Sequence, residues 1–77
     1  MKTQEQEIDV EVHNGVPAIV SMQGRLHIVT RVLDSWRYRS RWWDEEEERN
    51  YWWLMTDVLT VLVYQSRRGW FSSQVWD

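Results

Sequence analysis

The strongest constraint on the fold is a succession of short segments in which apolar and polar residues alternate, separated by residue pairs typical of tight turns. Residues 7–12 alternate without a break, with three β-branched residues on one side and three acidic residues on the other. Asn14-Gly15 follows, and this pair readily takes the positive φ angles that a two-residue hairpin needs. The sequence therefore predicts a half-buried strand over residues 7–12 and a hairpin into a second strand over residues 18–22.

The alternating pattern continues toward the C-terminal end, where β-branched and aromatic residues are frequent. Gln23-Gly24 predicts a second tight turn, Asp34-Ser35 predicts a turn or bulge, and the acidic run at residues 44–48 predicts a solvated hairpin loop. Further strands are predicted over residues 25–33, 36–42, 49–55, 58–64 and 70–76.

Five or six short strands with tight turns and no convincing helix predict an all-β fold. We expect a small antiparallel barrel or a strongly bent sheet, SH3-like or OB-like in a chain of 77 residues. Residues 1–6 are mostly polar and are predicted to form a flexible N-terminal tail, and residues 7–77 a single barrel domain. Within residues 25–33 the alternation places Leu26 and Ile28 toward the core and His27 on the polar face.

The composition excludes several classes of protein. Because the chain has no cysteine, it has no disulfide, thiolate nucleophile or cysteine-ligated zinc. No apolar run approaches the ~20 residues that a transmembrane helix requires. The acidic, polar start of the chain also differs from a signal peptide, which is basic and then apolar. We therefore predict no membrane association and a cytoplasmic location.

Catalytic chemistry has little support in the sequence. His13 and His27 lack the spacing of a zinc site, and the serines have no neighbouring base and acid that would make one of them a nucleophile. The three glycines do not form a phosphate-binding loop, and consecutive carboxylates on a turn diverge, unlike those of a calcium loop. We predict no catalytic residue, no metal and no cofactor.

The chain is rich in tryptophan, with seven residues that all lie between positions 36 and 76. Two adjacent pairs occur, and neighbouring residues of a strand point to opposite faces, so each pair should have one buried and one exposed indole. The predicted core and corner residues are Trp36, Trp42, Trp53 and Trp70. The predicted recognition residues are Trp43, Trp52 and Trp76.

Arg37, Arg39 and Arg41 alternate along one strand and form a cationic row. Their spacing of roughly 7 Å, from the strand rise per residue, is similar to that of phosphates along a single nucleic-acid strand. Neighbouring exposed indoles could stack bases between these phosphate contacts. The alternative interpretation is that the arginines pair across the sheet with carboxylates such as Glu46 or Glu48.

Four local motifs carry a resemblance to a known family. They are Gly24-Arg25 before a β-branched strand, Arg41-Trp42-Trp43-Asp44, Arg49-Asn50-Tyr51 and Gly69-Trp70-Phe71. Over about residues 8 to 77 the chain resembles DUF6504, a small uncharacterised bacterial domain that occurs alone and as the C-terminal module of Y-family polymerase-like proteins. The resemblance implies a setting in DNA repair or translesion synthesis, although no polymerase portion is present here.

The leading functional hypothesis is a non-enzymatic module that binds a protein partner, with DNA repair or translesion synthesis as the setting that the resemblance implies. Its site residues would be Arg37, Arg39, Arg41, Trp43, Trp52 and Trp76. The alternative is single-stranded nucleic-acid binding through the arginines and adjacent indoles. A third hypothesis is a homodimer in which the additional tryptophans complete the core.

Overall fold

The structure, a computed structural model, describes residues 5–42 and 45–76, with the side chains of these residues except 40–42 and 45–46. The described chain forms six strands: β1 Gln6–His13, β2 Val16–Met22, β3 Arg25–Trp42, β4 Glu45–Thr56, β5 Thr60–Ser66 and β6 Gly69–Trp76. Each strand pairs antiparallel with the next, and β6 pairs with β1, so the sheet closes into a barrel. The prediction of a small all-β barrel is confirmed.

The strands follow one another around the barrel in sequence order, which is an up-and-down meander. An OB-fold is a five-stranded Greek-key barrel, so this chain shares its size class and closure but not its connectivity. β1 begins at Gln6, one residue before the predicted start of the domain. In the stretches 5–42 and 45–76 no helix is long and apolar enough to cross a membrane.

Two of the connections are the tight hairpin turns that the sequence predicts. Asn14 and Gly15 have φ angles of 53° and 78°, and Gln23 and Gly24 have φ angles of 52° and 76°. Positive φ at both central residues gives a turn whose twist matches that of the flanking antiparallel strands. The β1–β2 and β2–β3 hairpins are therefore fixed by local backbone preference.

The acidic run was predicted to be a solvated loop, and this prediction is wrong for the residues that the structure describes. β4 begins at Glu45, and Glu48 lies directly opposite Arg39 in β3. Opposite charges in directly facing strand positions attract one another, and they favour continued pairing over an open loop. Residue 44 lies outside the described residues.

The core lies on the inner face of the barrel and is almost entirely aliphatic. Its buried apolar residues are Ile8, Val20, Met22, Leu54, Val61 and Val63. Seven partly buried residues pack against them: Val10, Val29, Val32, Trp52, Leu59, Trp70 and Val75. Only two tryptophans therefore contribute to the described core, and most of the other aromatic side chains are left for the outer surface.

Irregularities in β3 change which side chains reach the core. The register with β4 shifts between Val29 and Arg31 and again between Val32 and Asp34, which marks two bulges. A bulge inserts one residue and changes the alternation by one position, so Val29 and Val32 both pack against the core. β3 pairs with β2 up to Ile28 and with β4 from Val29 onward.

The alternation predicted for residues 25–33 is wrong at its start. Leu26 and Ile28 are 70% and 56% exposed, whereas His27 is buried at 7% exposure. The cause is the two-residue turn, which places His27 directly opposite the fully buried Val20. Two residues that face one another on antiparallel strands lie on the same side of the sheet, so His27 faces inward.

The β3–β4 hairpin extends beyond the rest of the barrel. β5 pairs with β4 only between Asn50 and Met55, so residues 37–42 and 45–49 form a two-stranded ribbon. One side of this ribbon continues the outer surface of the barrel, and the other side carries Arg37 and Arg39.

Candidate protein-interaction face

The outer surface of β3 to β6 carries a row of aromatic side chains in direct register. Trp36 faces Tyr51, Tyr51 faces Tyr64, and Tyr64 faces Phe71. We call these four residues the aromatic row. Each lies next to an inward-facing position of its own strand, so the row lies on the outside of the barrel.

The rings of the aromatic row touch in sequence across four strands. The ring centroids of Trp36 and Tyr51 are 5.4 Å apart with planes inclined by 10°. The centroid distances of Tyr51 to Tyr64 and of Tyr64 to Phe71 are both 5.3 Å. Separations in this range are favourable for aromatic pairs, so the row is a stiff, continuous surface.

A second aromatic pair lies beside this row. The ring centroids of Trp53 and Trp76 are 6.0 Å apart. Around these residues the same surface exposes several large side chains: Trp36 at 42%, Tyr38 at 52%, Trp53 at 39% and Met55 at 39%. We call the aromatic row, the Trp53–Trp76 pair, Tyr38 and Met55 together the outer aromatic face.

Arg49 lies at the edge of the outer aromatic face and is held from several sides. Its Nε and Nη2 donate to the two carboxylate oxygens of Glu47, at 3.0 and 3.5 Å, and its Nη1 donates to the hydroxyl of Tyr51 at 3.2 Å. The guanidinium carbon lies 4.4 Å from the centroid of the Tyr64 ring. The hydrogen bonds to Glu47 and Tyr51 hold the pKa of Arg49 above its already high usual value, so the side chain is a permanent cation.

Tyr64 is covered although it points outward, and it is only 4% exposed. Its hydroxyl donates to the Oε2 of Glu5 at 3.0 Å. Burial, followed by this hydrogen bond, raises the pKa of Tyr64 to about 12. The hydroxyl therefore stays protonated and remains a hydrogen-bond donor throughout the neutral pH range.

The predicted arginine row lies on the opposite side of the ribbon from Trp36 and Tyr38. Arg37 donates to the Oδ1 of Asn50 at 3.3 Å and forms an ion pair with Glu48 at 3.0 Å. Arg39 forms an ion pair with the other oxygen of Glu48 at 3.6 Å. The cross-strand pairing with Glu48 that the sequence left as an alternative is therefore present, and the Arg41 side chain lies outside the described residues.

The predicted assignment of the Trp52–Trp53 pair is reversed. Trp52 was predicted to be a recognition residue, but it packs against the core, and its buried Nε1 has no hydrogen-bond partner among the described residues. Trp53 was predicted to be buried, but it is exposed. Leu54 and Thr56 are both buried, so every second residue of β4 faces inward, and Trp52 falls in that series.

The other predicted tryptophan positions have mixed outcomes. Trp70 packs against the core as predicted. Trp36 was predicted to be a core residue, and this is wrong because it faces Tyr51 on the outer surface. Trp76 lies half-buried on the outer aromatic face, where the sequence had placed it for recognition. The Trp42 side chain and the whole of Trp43 lie outside the described residues.

Of the outer aromatic face, sequence reasoning named only Trp76 as a site residue, and it also missed Arg49 at the edge of the face. The face residues that it missed are Trp36, Tyr38, Tyr51, Trp53, Met55, Tyr64 and Phe71. One signal was available, because Arg49 and Tyr51 are two residues apart and must share a side of their strand. That spacing already placed a cation beside an aromatic ring. The sequence did not reveal that this side was the outer one, since both sides of β4 carry apolar residues.

Within the described residues, no group of three or more histidine and carboxylate side chains could hold a metal ion. His13 lies 3.1 Å from Glu11 on the surface, and the buried His27 has no hydrogen-bond partner for Nδ1 among the described residues.

A shallow groove of about 250 Å³ opens where β2 and β3 separate. Its lining is formed mostly by aliphatic residues of these two strands, including Pro17 and Val29, with His13 and Arg31 at the sides. Cofactor and substrate sites usually have volumes of about 300 to 1,000 Å³, so this groove is small for such a ligand. It also lies away from the aromatic row.

Comparison of the chain with models of known protein families, with curated proteins and with solved structures finds no match. The resemblance to DUF6504 therefore remains a prediction from the four sequence motifs. The outer aromatic face has to be interpreted from its own chemistry.

Proposed function

We propose that this protein is a non-enzymatic interaction module that binds a protein partner through the outer aromatic face. The observation that carries the proposal is the exposure of Trp36, Tyr38, Trp53 and Met55 on one side of a barrel whose core is filled by other residues. Exposed apolar surface of this kind is costly in water and is typical of sites that a partner covers. Tryptophan and tyrosine are also among the residues that dominate binding energy at protein interfaces.

The arrangement of charge favours a protein partner over nucleic acid. Stacking of unpaired bases between phosphate contacts requires cations and aromatic rings on the same surface. Arg37 and Arg39 lie on the other side of the ribbon from the exposed rings and share Glu48 as their counter-ion. Arg49 does lie beside the rings, but it is paired with the carboxylates of Glu47 and Glu5. The chain also carries a net charge of −3, which opposes the accumulation of phosphates.

We further propose, on the resemblance to DUF6504, that the partner belongs to the bacterial DNA repair or translesion machinery and that binding takes place in the cytoplasm. In that setting such a module would bring a protein to its site of action without acting on DNA itself. Identification of the captured partner tests this assignment separately from the binding face.

The test of the binding face is capture of a partner from cell lysate by the immobilised protein. The double substitution Trp36→Ala and Trp53→Ala should abolish capture while the fold is retained, because both side chains are exposed. Leu26→Ala is the matched control, since Leu26 is 70% exposed but lies outside the outer aromatic face, and it should leave capture unchanged. Undiminished capture by the double variant would contradict the proposal.

Trp52→Ala is a reference variant that distinguishes loss of binding from loss of folding stability in this test. Trp52 packs against the core, so its truncation should destabilise the barrel by about 3 kcal/mol, at the low end of the range for large aromatic residues. Denaturant titration should therefore separate Trp52→Ala from the Trp36 and Trp53 variants. The adjacent positions 52 and 53 then report stability and binding respectively.

Single-stranded nucleic-acid binding remains the second candidate, since Arg37 and Arg39 are exposed on the ribbon. Titration with fluorescent single-stranded DNA at two salt concentrations distinguishes the two functions. Phosphate contacts would give an affinity that falls steeply with salt and that weakens on Arg37→Gln or Arg39→Gln. An affinity for single-stranded DNA that neither substitution changes would indicate that the aromatic face, and not the arginines, is the recognition site.

A further inference from the structure

The contact between Glu5 and the outer aromatic face shows how this surface binds a carboxylate. Oε2 of Glu5 accepts a hydrogen bond from the Tyr64 hydroxyl at 3.0 Å, and Oε1 lies 3.8 Å from Nη1 of Arg49. Each carboxylate oxygen thus has its own partner, one a neutral hydroxyl and the other a guanidinium. Two-point recognition of this kind is specific for planar anions such as carboxylates.

Both partners of the carboxylate are held in position by other groups. Glu47 takes the Nε and Nη2 side of the Arg49 guanidinium, so Nη1 remains directed toward Tyr51 and Glu5. Tyr64 is packed between the rings of Tyr51 and Phe71, which fixes its hydroxyl. A site whose groups are already ordered loses little conformational entropy when an anion binds.

Glu5 itself is weakly held. It precedes the first residue of β1, and its side chain is 54% exposed. Exposed ion pairs of this kind contribute little to stability, so another carboxylate can replace that of Glu5 at small cost. Removing Glu5 would leave Arg49 Nη1 and the Tyr64 hydroxyl beside the exposed rings of the outer aromatic face.

We propose that Arg49 and Tyr64 form a carboxylate-binding subsite within the outer aromatic face, that Glu5 occupies it in the free protein, and that a partner displaces Glu5 with a carboxylate of its own. The partner segment carries an acidic side chain or a C-terminal carboxylate next to an aromatic or large apolar residue, which packs on the neighbouring rings. This inference rests on the proposed function, because it specifies the chemistry of a ligand for the same face.

The test uses two small probes that differ only in the carboxylate. N-acetyl-tryptophan carries an indole and a carboxylate, and N-acetyl-tryptophanamide carries the same indole with a neutral amide. Each is titrated into the full chain, and binding is followed by nuclear magnetic resonance at Arg49 and at the aromatic rings. The Glu5→Ala variant provides the emptied subsite, and Glu7→Ala, which removes an equal charge from the outer side of β1 opposite Phe71, is the matched control.

In Glu5→Ala the acid should bind about tenfold more tightly than the amide, because only the carboxylate has a negative charge to pair with Arg49 and a second acceptor oxygen for the Tyr64 hydroxyl. The wild-type chain and Glu7→Ala should show a smaller preference, since Glu5 still competes. Tyr64→Phe and Arg49→Lys, each checked for an unchanged fold from the amide spectrum, should lose the preference for the acid and keep the affinity for the amide.

Equal affinities of the acid and the amide in Glu5→Ala would overturn the subsite. The same conclusion would follow if Glu7→Ala increased acid binding as much as Glu5→Ala, since the effect would then be one of general charge. Binding of neither probe would count against the outer aromatic face as a whole, and thereby against the proposed function as well.

Discussion

At the scale of single residues, Tyr64 shows how a position on the outside of a barrel can have the properties of a buried one. Its neighbour Val63 points into the core, yet Tyr64 is itself almost fully covered by Arg49, Glu5 and the adjacent rings. Loss of solvent disfavours the phenolate, and this burial is the main reason for its raised pKa.

The raised pKa of Tyr64 predicts a loss of stability in alkaline solution. In the unfolded chain a tyrosine ionises near its ordinary value of 10, whereas folded Tyr64 keeps its proton to about pH 12. The unfolded state therefore binds fewer protons in this interval. The contribution of Tyr64 is fully present below pH 10 and is lost as the pH rises to about 12.

Denaturant unfolding of the wild type and of Tyr64→Phe across this pH interval measures the effect. The free energy of unfolding should fall less steeply with pH in Tyr64→Phe, because this variant lacks the titration of Tyr64. The remaining tyrosines titrate in both proteins and therefore contribute equally. Identical slopes would show that Tyr64 ionises equally easily in the folded and unfolded chain.

The adjacent residues Trp52 and Trp53 mark a limit of prediction at this scale. Their adjacency on a strand correctly predicts that one indole faces inward and the other outward. Which one faces inward depends on the neighbours: Trp52 faces Val63, which is fully buried, and Trp53 faces Leu62, which is half-buried. Because both sides of β4 carry large apolar residues, the hydrophobic pattern alone could not distinguish the two arrangements.

At the scale of the elements, the tight turns carry more structural information than the strands they join. The Asn14-Gly15 and Gln23-Gly24 pairs determine the register of β1 with β2 and of β2 with β3 near each turn. A change of register by one residue would exchange the inner and outer sides of a strand. The backbone conformation of one glycine thus affects every side chain of the hairpin.

Gly15→Ala tests this dependence. Gly15 has a φ of 78°, and no atom lies within 4 Å of the position that a Cβ would take, so the substitution introduces backbone strain without a steric clash. We expect destabilisation by about 1 kcal/mol, the lower end of the cost of a left-handed conformation. Denaturant titration measures this change.

Gly15→Asn is the matched control for the turn. Asparagine adopts positive φ more readily than alanine, so this variant should lose clearly less stability than Gly15→Ala. Equal losses in the two variants would indicate that a property of Gly15 other than its φ angle stabilises the hairpin.

Bulges explain why the strands were predicted less accurately than the turns. β3 is one continuous strand, an arrangement that the sequence left open with a turn or bulge at Asp34-Ser35, and its bulges lie between Val29 and Arg31 and between Val32 and Asp34. The predicted irregularity at Asp34-Ser35 is adjacent to the second bulge. The first has no comparable signal in the sequence, since a threonine between valine and arginine is equally compatible with a regular strand.

At the scale of the whole molecule, the pairings between neighbouring strands, which we call seams, differ in length. β3 and β4 pair along most of their length, from Val29 opposite Thr56 to Trp42 opposite Glu45. β1 and β6 pair only from Gln6 opposite Ser72 to Ile8 opposite Trp70. The seam that joins the two ends of the chain is therefore the shortest one that the described residues form.

This inequality predicts the order in which the barrel opens. Local opening requires least free energy where few backbone pairs must separate, so amides of the β1–β6 seam should exchange with solvent before amides in the middle of β4 and β5. Residue-resolved hydrogen exchange measures this order. Protection at Ile8 equal to that at Leu54 would indicate that the barrel opens only as a unit.

Closure of the barrel could be expected from the sequence, because short strands joined by tight turns favour a small antiparallel barrel and closure removes exposed edges. The sequential strand order was not predicted. The short pairing of β1 with β6 joins residues at opposite ends of the chain, and neither segment carries a local sign of the other. The contact of Glu5 with Tyr64 depends on this closure, since Glu5 immediately precedes β1 and Tyr64 lies in β5.

The Trp53–Trp76 pair gives the molecule an optical property of its own. Two indoles whose centres are 6.0 Å apart and whose planes are inclined by 47° are close enough for their electronic transitions to couple, so we expect a paired circular-dichroism band. Trp53 belongs to β4 and Trp76 to β6, with β5 between them. The contribution of this pair should disappear when the three strands separate, and it would report tertiary order without any attached label.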